Sequence, residues 1–235
     1  TAREPNVISP TYSPALRQSA SSRTKSPASA RLIFPRIRFI IITDNNSEWM
    51  GNIMKDAIGI LDSGVGGISV LKKAVELLPN ESFIYYGDNA NAPYGPRPID
   101  EIRRLSALAI DHLLSQDVKA LVIACNTISA TCLYELRKAF PDIPIVGIID
   151  QAAEAVASKC TEKNNIGIIA TKATISSGDY REKIKKLNRS LKVKEKATPA
   201  FVPLIEEGII ENEIMDLTIH YYMDEFIEEN HIDTL

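Results

Sequence analysis

Residues 120–131 read Ala120-Leu121-Val122-Ile123-Ala124-Cys125-Asn126-Thr127-Ile128-Ser129-Ala130-Thr131. The apolar run Leu121 to Ala124 has the length and composition of a strand buried on both faces. Cys125 stands where that strand runs out. Asn126, Thr127 and Ser129 follow it, and such residues start helices because their short polar side chains can satisfy free amides of the first turn. In open parallel sheets, ligands collect at the carboxyl ends of strands, beside helix N-termini. The positive end of a helix also lowers a thiol's pKa from about 8.5. Cys125 is therefore read as a candidate reactive sulfur. The alternative is a structural cysteine, since free Cys is among the most buried residue types.

On both sides of this stretch the chain alternates strand and helix. Ala57 to Leu61 reads as a strand, Asp62-Ser63-Gly64-Val65-Gly66-Gly67 as a tight turn, and Ile68, Leu71, Val75 and Leu78 as one face of a helix. Ser82 to Tyr86 is the next strand. It opens into the loop 87–95, and a helix follows over Asp100 to Ser115. After the helix that begins near Asn126 come a strand over Pro144 to Ile149 and a helix over Gln151 to Lys159. This alternation implies a mostly parallel sheet covered on both faces. A second series begins at Asn165. It has a strand over Ile166 to Ile169, a helix over Asp179 to Asn188, and a short strand near Lys194 to Thr198. Phe201 to Gly208 is a loop or short helix. A long helix then runs from Glu211 to Asn230, with Ile214, Leu217 and Tyr221 on one face. His231 to Leu235 reads as the start of a further strand.

Composition narrows the function classes. The three cysteines do not make a disulfide framework, so a reducing compartment is the default. No apolar run reaches the roughly 18 residues of a spanning helix, and no membrane partner is expected. Residues 1–53 hold seven Lys/Arg against three Asp/Glu, or +4; the rest holds twenty against twenty-seven, or −7. A folded part this acidic is a poor nucleic-acid binder. Thr1 to Ser29 is rich in Ser, Pro and Arg without apolar periodicity and is expected to be disordered. Residues 1–53 are read as upstream sequence ahead of Met54, in preference to an organelle transit peptide. His112, His220 and His231 share no metal-ligand spacing, and no metal site is expected. Cys132, seven residues after Cys125, should lie on the covered face of the same helix. Cys160 falls in a helix-to-loop connection.

Several further residues could carry chemistry. The turn at Asp62 lacks the lysine of a phosphate-binding loop, but its glycines let the backbone approach something small. Asp62 offers a carboxylate there and Ser63 a hydroxyl. The amides of Pro93-Tyr94-Gly95 could bind an anion. Thr171 and Thr174 occupy the strand exit of the second series, where capping the next helix is the plainer role.

Taken together, Leu61-Asp62-Ser63-Gly64-Val65-Gly66-Gly67, Pro93-Tyr94-Gly95, Cys125-Asn126-Thr127, Ala170-Thr171 with Thr174-Ile175, and Phe201-Val202-Pro203-Leu204-Ile205-Glu206 resemble the cofactor-independent aspartate/glutamate racemases. The resemblance runs from about Ala57 to Leu235. It implies two doubly wound α/β domains facing a central cleft, here 54–155 and an incomplete 156–235. It maps Cys125 to one of two catalytic cysteines, and Asp62 and Glu206 to assisting carboxylates. Ser63, Tyr94, Gly95, Asn126, Thr127 and Thr171 map to contacts with the amino acid, together with Asp62. The implied enzyme is a cytoplasmic isomerase that needs no cofactor and supplies D-glutamate for peptidoglycan. A homodimer is left open. Aspartate racemisation and non-catalytic amino-acid binding are the alternatives. The resemblance places the second cysteine on a strand beyond Leu235, so this polypeptide is expected to be truncated and, alone, inactive. Asp150-Gln151 and Thr198-Pro199 depart from the pairs common at those positions.

Overall fold

The structure, a computed structural model, describes the backbone of Phe39–Ile42 and residues 56–235 in full. The expectations for Thr1 to Ser29 lie outside the described residues. The elements of the first series are β1 (Phe39–Ile42), β2 (Ile58–Asp62), α1 (Ile68–Leu77), β3 (Phe83–Gly87), α2 (Ile99–Leu114), β4 (Ala120–Ile123), α3 (Asn126–Ala139), β5 (Ile145–Gly147) and α4 (Ile149–Lys159). The second series is β6 (Asn165–Ala170), α5 (Lys172–Ser177), α6 (Asp179–Leu187), β7 (Lys192–Ala197), α7 (Phe201–Glu206) and α8 (Glu213–Asn230).

β1 to β5 form one sheet in the order β1-β3-β2-β4-β5, with every pair parallel. Side chains of a strand alternate between faces, and the two cores follow that alternation. Ile60, Phe83 and Tyr85 pack on one face with Leu71 and Val75 of α1. Leu61, Ile84, Leu121 and Ile123 pack on the other with Ile102, Leu113, Ile128 and Cys132 of α2 and α3. The chain leaves β2 toward β3 on one side and reaches β4 on the other. The crevice between diverging connections is where such sheets bind ligands. Asp62 closes β2 and Cys125 follows β4, side by side, with the Ala124 amide donating to the Leu61 carbonyl at 2.8 Å.

β6 and β7 form a second parallel pair. Ile166, Ile184 and Leu191 build its core, and Ala153 of α4 joins them. The backbone at Thr234 bridges Ile166 in parallel, and the Gly167 amide donates to the Thr234 carbonyl at 2.8 Å. Residues 231–235 thus run along β6, as a beginning strand would.

Phe39–Ile42, within the segment read as an extension, adds an edge strand beside β3; the run around it, broken by Pro35 and two arginines, carries no clean strand pattern. Two readings are corrected. In α1 only Leu71 and Val75 of the expected face are buried. In α8 the expected face is the exposed one: Ile214, Leu217 and Tyr221 are 55%, 62% and 78% exposed. Met215, Met223 and Phe226 turn inward instead. This helix carries apolar residues all round, so periodicity could not select the packed stripe.

Candidate active site

Asp62 is held by the turn that follows it. Its carboxylate accepts the Ser63 amide at 2.6 Å through Oδ1 and the Gly67 amide through Oδ2. A Cβ at Gly67 would lie 2.8 Å from both Cβ and Oδ2 of Asp62 and 2.9 Å from the Ala124 Cβ, so glycine is required for this close approach. The Tyr85 hydroxyl, rising from β3, donates to the Gly64 carbonyl at 2.8 Å and pins the same turn to the sheet.

Cys125 is the N-cap residue of α3 and is 5% exposed. Its Sγ lies 3.3 Å from Ser63 Oγ. Burial, and then the charge of Asp62, push the thiol up to about 11, against the hydrogen bonds from the Ser63 hydroxyl and the Ile128 and Ser63 amides. The expectation that the helix end would lower this pKa is therefore corrected. Desolvation of a thiolate outweighs the field of one helix terminus.

The loop carrying Tyr94 and Gly95 is anchored by a buried acid. The Tyr94 hydroxyl donates to Asp88 Oδ2 at 2.6 Å, and Asn91 Nδ2 donates to both oxygens at 2.9 and 3.0 Å. Tyr94 is almost fully buried, so its hydroxyl proton is committed to Asp88. Gly95 abuts the second series: a Cβ there would sit 2.6 Å from the Thr171 Cβ.

Two polar links join the halves around the cleft. Thr127 Oγ1 lies 3.0 Å from Thr171 Oγ1, which lies 3.0 Å from Thr174 Oγ1. Thr171 also caps α5 by accepting the Thr174 amide. The Tyr180 hydroxyl donates to Asn126 Oδ1 at 2.6 Å. Glu206, at the end of α7, reaches over the Asp62 turn, its Oε1 2.9 Å from where a Gly64 Cβ would be. Partial burial and the charges of Asp62 and Glu207 raise its carboxyl above the usual range.

These side chains enclose a cleft of about 560 Å³. Asp62, Ser63, Tyr94, Gly95, Cys125, Asn126, Thr127, Thr171 and Glu206 all line it, so the structure gathers every residue singled out from the sequence. Among the described residues no Lys or Arg lines the cleft. Cys132 is buried against the Thr131 hydroxyl and Cys160 closes α4, so Cys125 is the one thiol facing this space among the described residues. Among those residues, too, no three His, Cys, Asp or Glu side chains are grouped as metal ligands.

Tyr180, Tyr85 and Asp88 were not singled out from the sequence. Asp88 lies in the loop already noted, and its pairing with Tyr94 at a spacing of six gave no local signal. Tyr85 reads only as a buried strand residue, and Tyr180 as one aromatic on a polar helix.

A parallel α/β sheet whose adjacent strand ends present a carboxylate and a buried thiol to one cleft defines an α/β protein with a crevice at its strand ends. More particularly, the chain belongs to the Asp/Glu/Hydantoin racemase family, which it matches over residues 58–218. It is 39% identical over 182 residues to the glutamate racemase of Oceanobacillus iheyensis, covering 77% of this chain and 66% of that one. It is 45% identical over 158 residues to that of Bacillus cereus, covering 67% and 58%. The chain thus spans somewhat under two thirds of the length of these relatives. A crystal structure of the Francisella tularensis glutamate racemase in complex with D-glutamate matches with a TM-score of 0.70 at 35% identity, covering 76% of this chain and 66% of that one. No helix of the described residues is long and apolar enough to cross a membrane.

Proposed function

We propose that this chain carries the glutamate cleft and one of the two proton-transfer thiols of a glutamate racemase. The observation that carries the reading is the Cys125 thiol beside Ser63 and Asp62 at paired strand ends, in a cleft lined by no basic side chain among the described residues. Inverting Cα requires a proton removed from one face and one delivered to the other, which calls for two opposed acid/base groups. Cys125 serves one face. Its proton passes between sulfur and Cα, while the Ser63 hydroxyl and the nearby amides stabilise the thiolate. The start of α3 and the Asn126 and Thr127 side chains donate to a substrate carboxylate. Asp62 and Glu206 suit the substrate ammonium.

The reading extends to the family setting: D-glutamate made in the cytoplasm for peptidoglycan. It rests on the relatives named glutamate racemases and on the presence of the five motifs together in this one chain.

The test is proton exchange in deuterated solvent, with L- and D-glutamate followed separately by proton NMR. With one thiol in the cleft, the chain should exchange the Cα proton of one enantiomer for deuterium without inverting it. Exchange should vanish in Cys125→Ala. Binding without exchange would favour a non-catalytic amino-acid binder. Equal exchange of aspartate would move the substrate assignment.

A further inference from the structure

The geometry points to Tyr180 as a positioning residue: its hydroxyl favours the orientation of the Asn126 side-chain amide that turns Nδ2 to the cleft. The inference deepens the glutamate reading and rests on it. Asn126 opens α3 directly after the thiol, and both it and Tyr180 line the cleft. The two residues lie 54 positions apart, yet Tyr180 donates to Asn126 Oδ1 at 2.6 Å.

An asparagine amide has an accepting end and a donating end of nearly equal size. Left to itself in a partly exposed setting it samples both orientations. A substrate carboxylate distinguishes them sharply, because the Nδ2 end donates to it and the Oδ1 end repels it. Tyr180 biases the choice: a phenol hydroxyl can accept as well as donate, but it is the better donor, so the orientation with Oδ1 toward Tyr180 is preferred. The amide then keeps Nδ2 for the ligand, and among the described residues Nδ2 has no hydrogen bond. The hydroxyl is a dependable donor, since burial and the neighbouring Asp179 raise the Tyr180 pKa and keep the proton on oxygen.

The elements around Tyr180 hold it at this distance. Gly178, at φ 68, turns the chain between α5 and α6, and Tyr180 falls in the first turn of α6. One turn on, Lys183 pairs with Asp150 at 2.7 Å and with Asp179 at 2.9 Å. Asp150 also lies 3.8 Å from Arg137 of α3. The helix that presents Tyr180 is thereby tied to α3 and α4, and the hydroxyl arrives already aimed.

The experiment is a double-mutant cycle on glutamate binding by calorimetry, with the full chain. Tyr180→Phe should weaken binding on the order of fivefold, the worth of one well-placed hydrogen bond, and change the melting temperature little. In an Asn126→Ala background the same substitution should have almost no effect, because there is no amide left to orient. Asn126→Asp keeps an acceptor for Tyr180 but offers no donor, and should lose far more affinity than Tyr180→Phe. Equal losses from Tyr180→Phe in both backgrounds would make Tyr180 a general packing residue and overturn the inference alone. Glutamate binding by Asn126→Asp at the unmodified level would do the same. Failure of the unmodified chain to bind either enantiomer would overturn the racemase reading, and this inference with it.

Discussion

Ser63 Oγ sits 3.3 Å from Cys125 Sγ across 62 residues of sequence, because the strands that end at them are neighbours in the sheet. The same sulfur is pushed up to about 11 by burial and by Asp62, so it is a neutral thiol at pH 8, with about one molecule in a thousand ionised. Alkylation of Cys125 by iodoacetamide should therefore climb about tenfold per pH unit through pH 8 to 10. Asp62→Asn removes a charge that raises the pKa and should speed alkylation at pH 8 several-fold. Ser63→Ala removes a stabilising hydrogen bond and should slow it. Peptide mass spectrometry separates Cys125 from the partly exposed Cys160. A flat pH profile would contradict the assignment.

Gly95 leaves no room for a side chain, since a Cβ would meet Thr171 at 2.6 Å. Gly95→Ala should push the loop off Thr171 and separate the Thr127–Thr171 hydroxyl pair. We expect a loss of glutamate affinity of roughly tenfold or more, about the worth of one or two hydrogen bonds. A lesser change in melting temperature should accompany it. Calorimetry beside a thermal melt reads both, and unchanged affinity would rule out closure at this contact.

Glu206 provides a pH signature. Its carboxyl is raised in the folded state by burial, by Asp62 and by Glu207. The folded protein therefore holds this proton to higher pH than the unfolded chain does. Stability associated with the protonated form is present below the unfolded pKa and lost as pH rises through the folded one. Glu206→Gln should match the unmodified protein near pH 4 and melt about 1 °C higher at pH 7, a small gain because the group is well solvated. A larger gain at pH 4 than at pH 7 would reverse the sign.

Leu121 is fully buried between β2 and α2 and fills the space beside Gly59. Leu121→Ala should cost about 2–5 kcal/mol, lowering the melting temperature by roughly 5–15 °C. A loss below 1 kcal/mol, measured by urea unfolding, would mean that this core relaxes around the gap.

The order of strands and helices was legible because this sheet is covered on both faces, so short apolar runs such as Leu121 to Ala124 could be little else. The site was legible in another way: the strand exits at Asp62 and Cys125 were each marked as ligand positions, and the resemblance implied that they share one site, which the β2–β4 pairing brings about. Two kinds of information were missing. The burial of Cys125, which raises its pKa, depends on neighbours from three elements and has no local mark. The Tyr180–Asn126 bond depends on the register between α6 and α3, and an aromatic on a charged helix says nothing of what it faces. The α8 stripe was misread because that helix is apolar all round, and only the packing of Met215 and Phe226 decides it.

The Tyr85 hydroxyl on the Gly64 carbonyl ties the bend after Asp62 to the buried central sheet. Such a floor does not slump when empty. Entry of a small acid into it need not wait for rearrangement there, and the entropy of arranging the bend is settled at folding rather than at each encounter. On the proposed reading, discrimination between amino acids of different length falls to the opposite wall, where Thr171, Tyr180 and Glu206 stand.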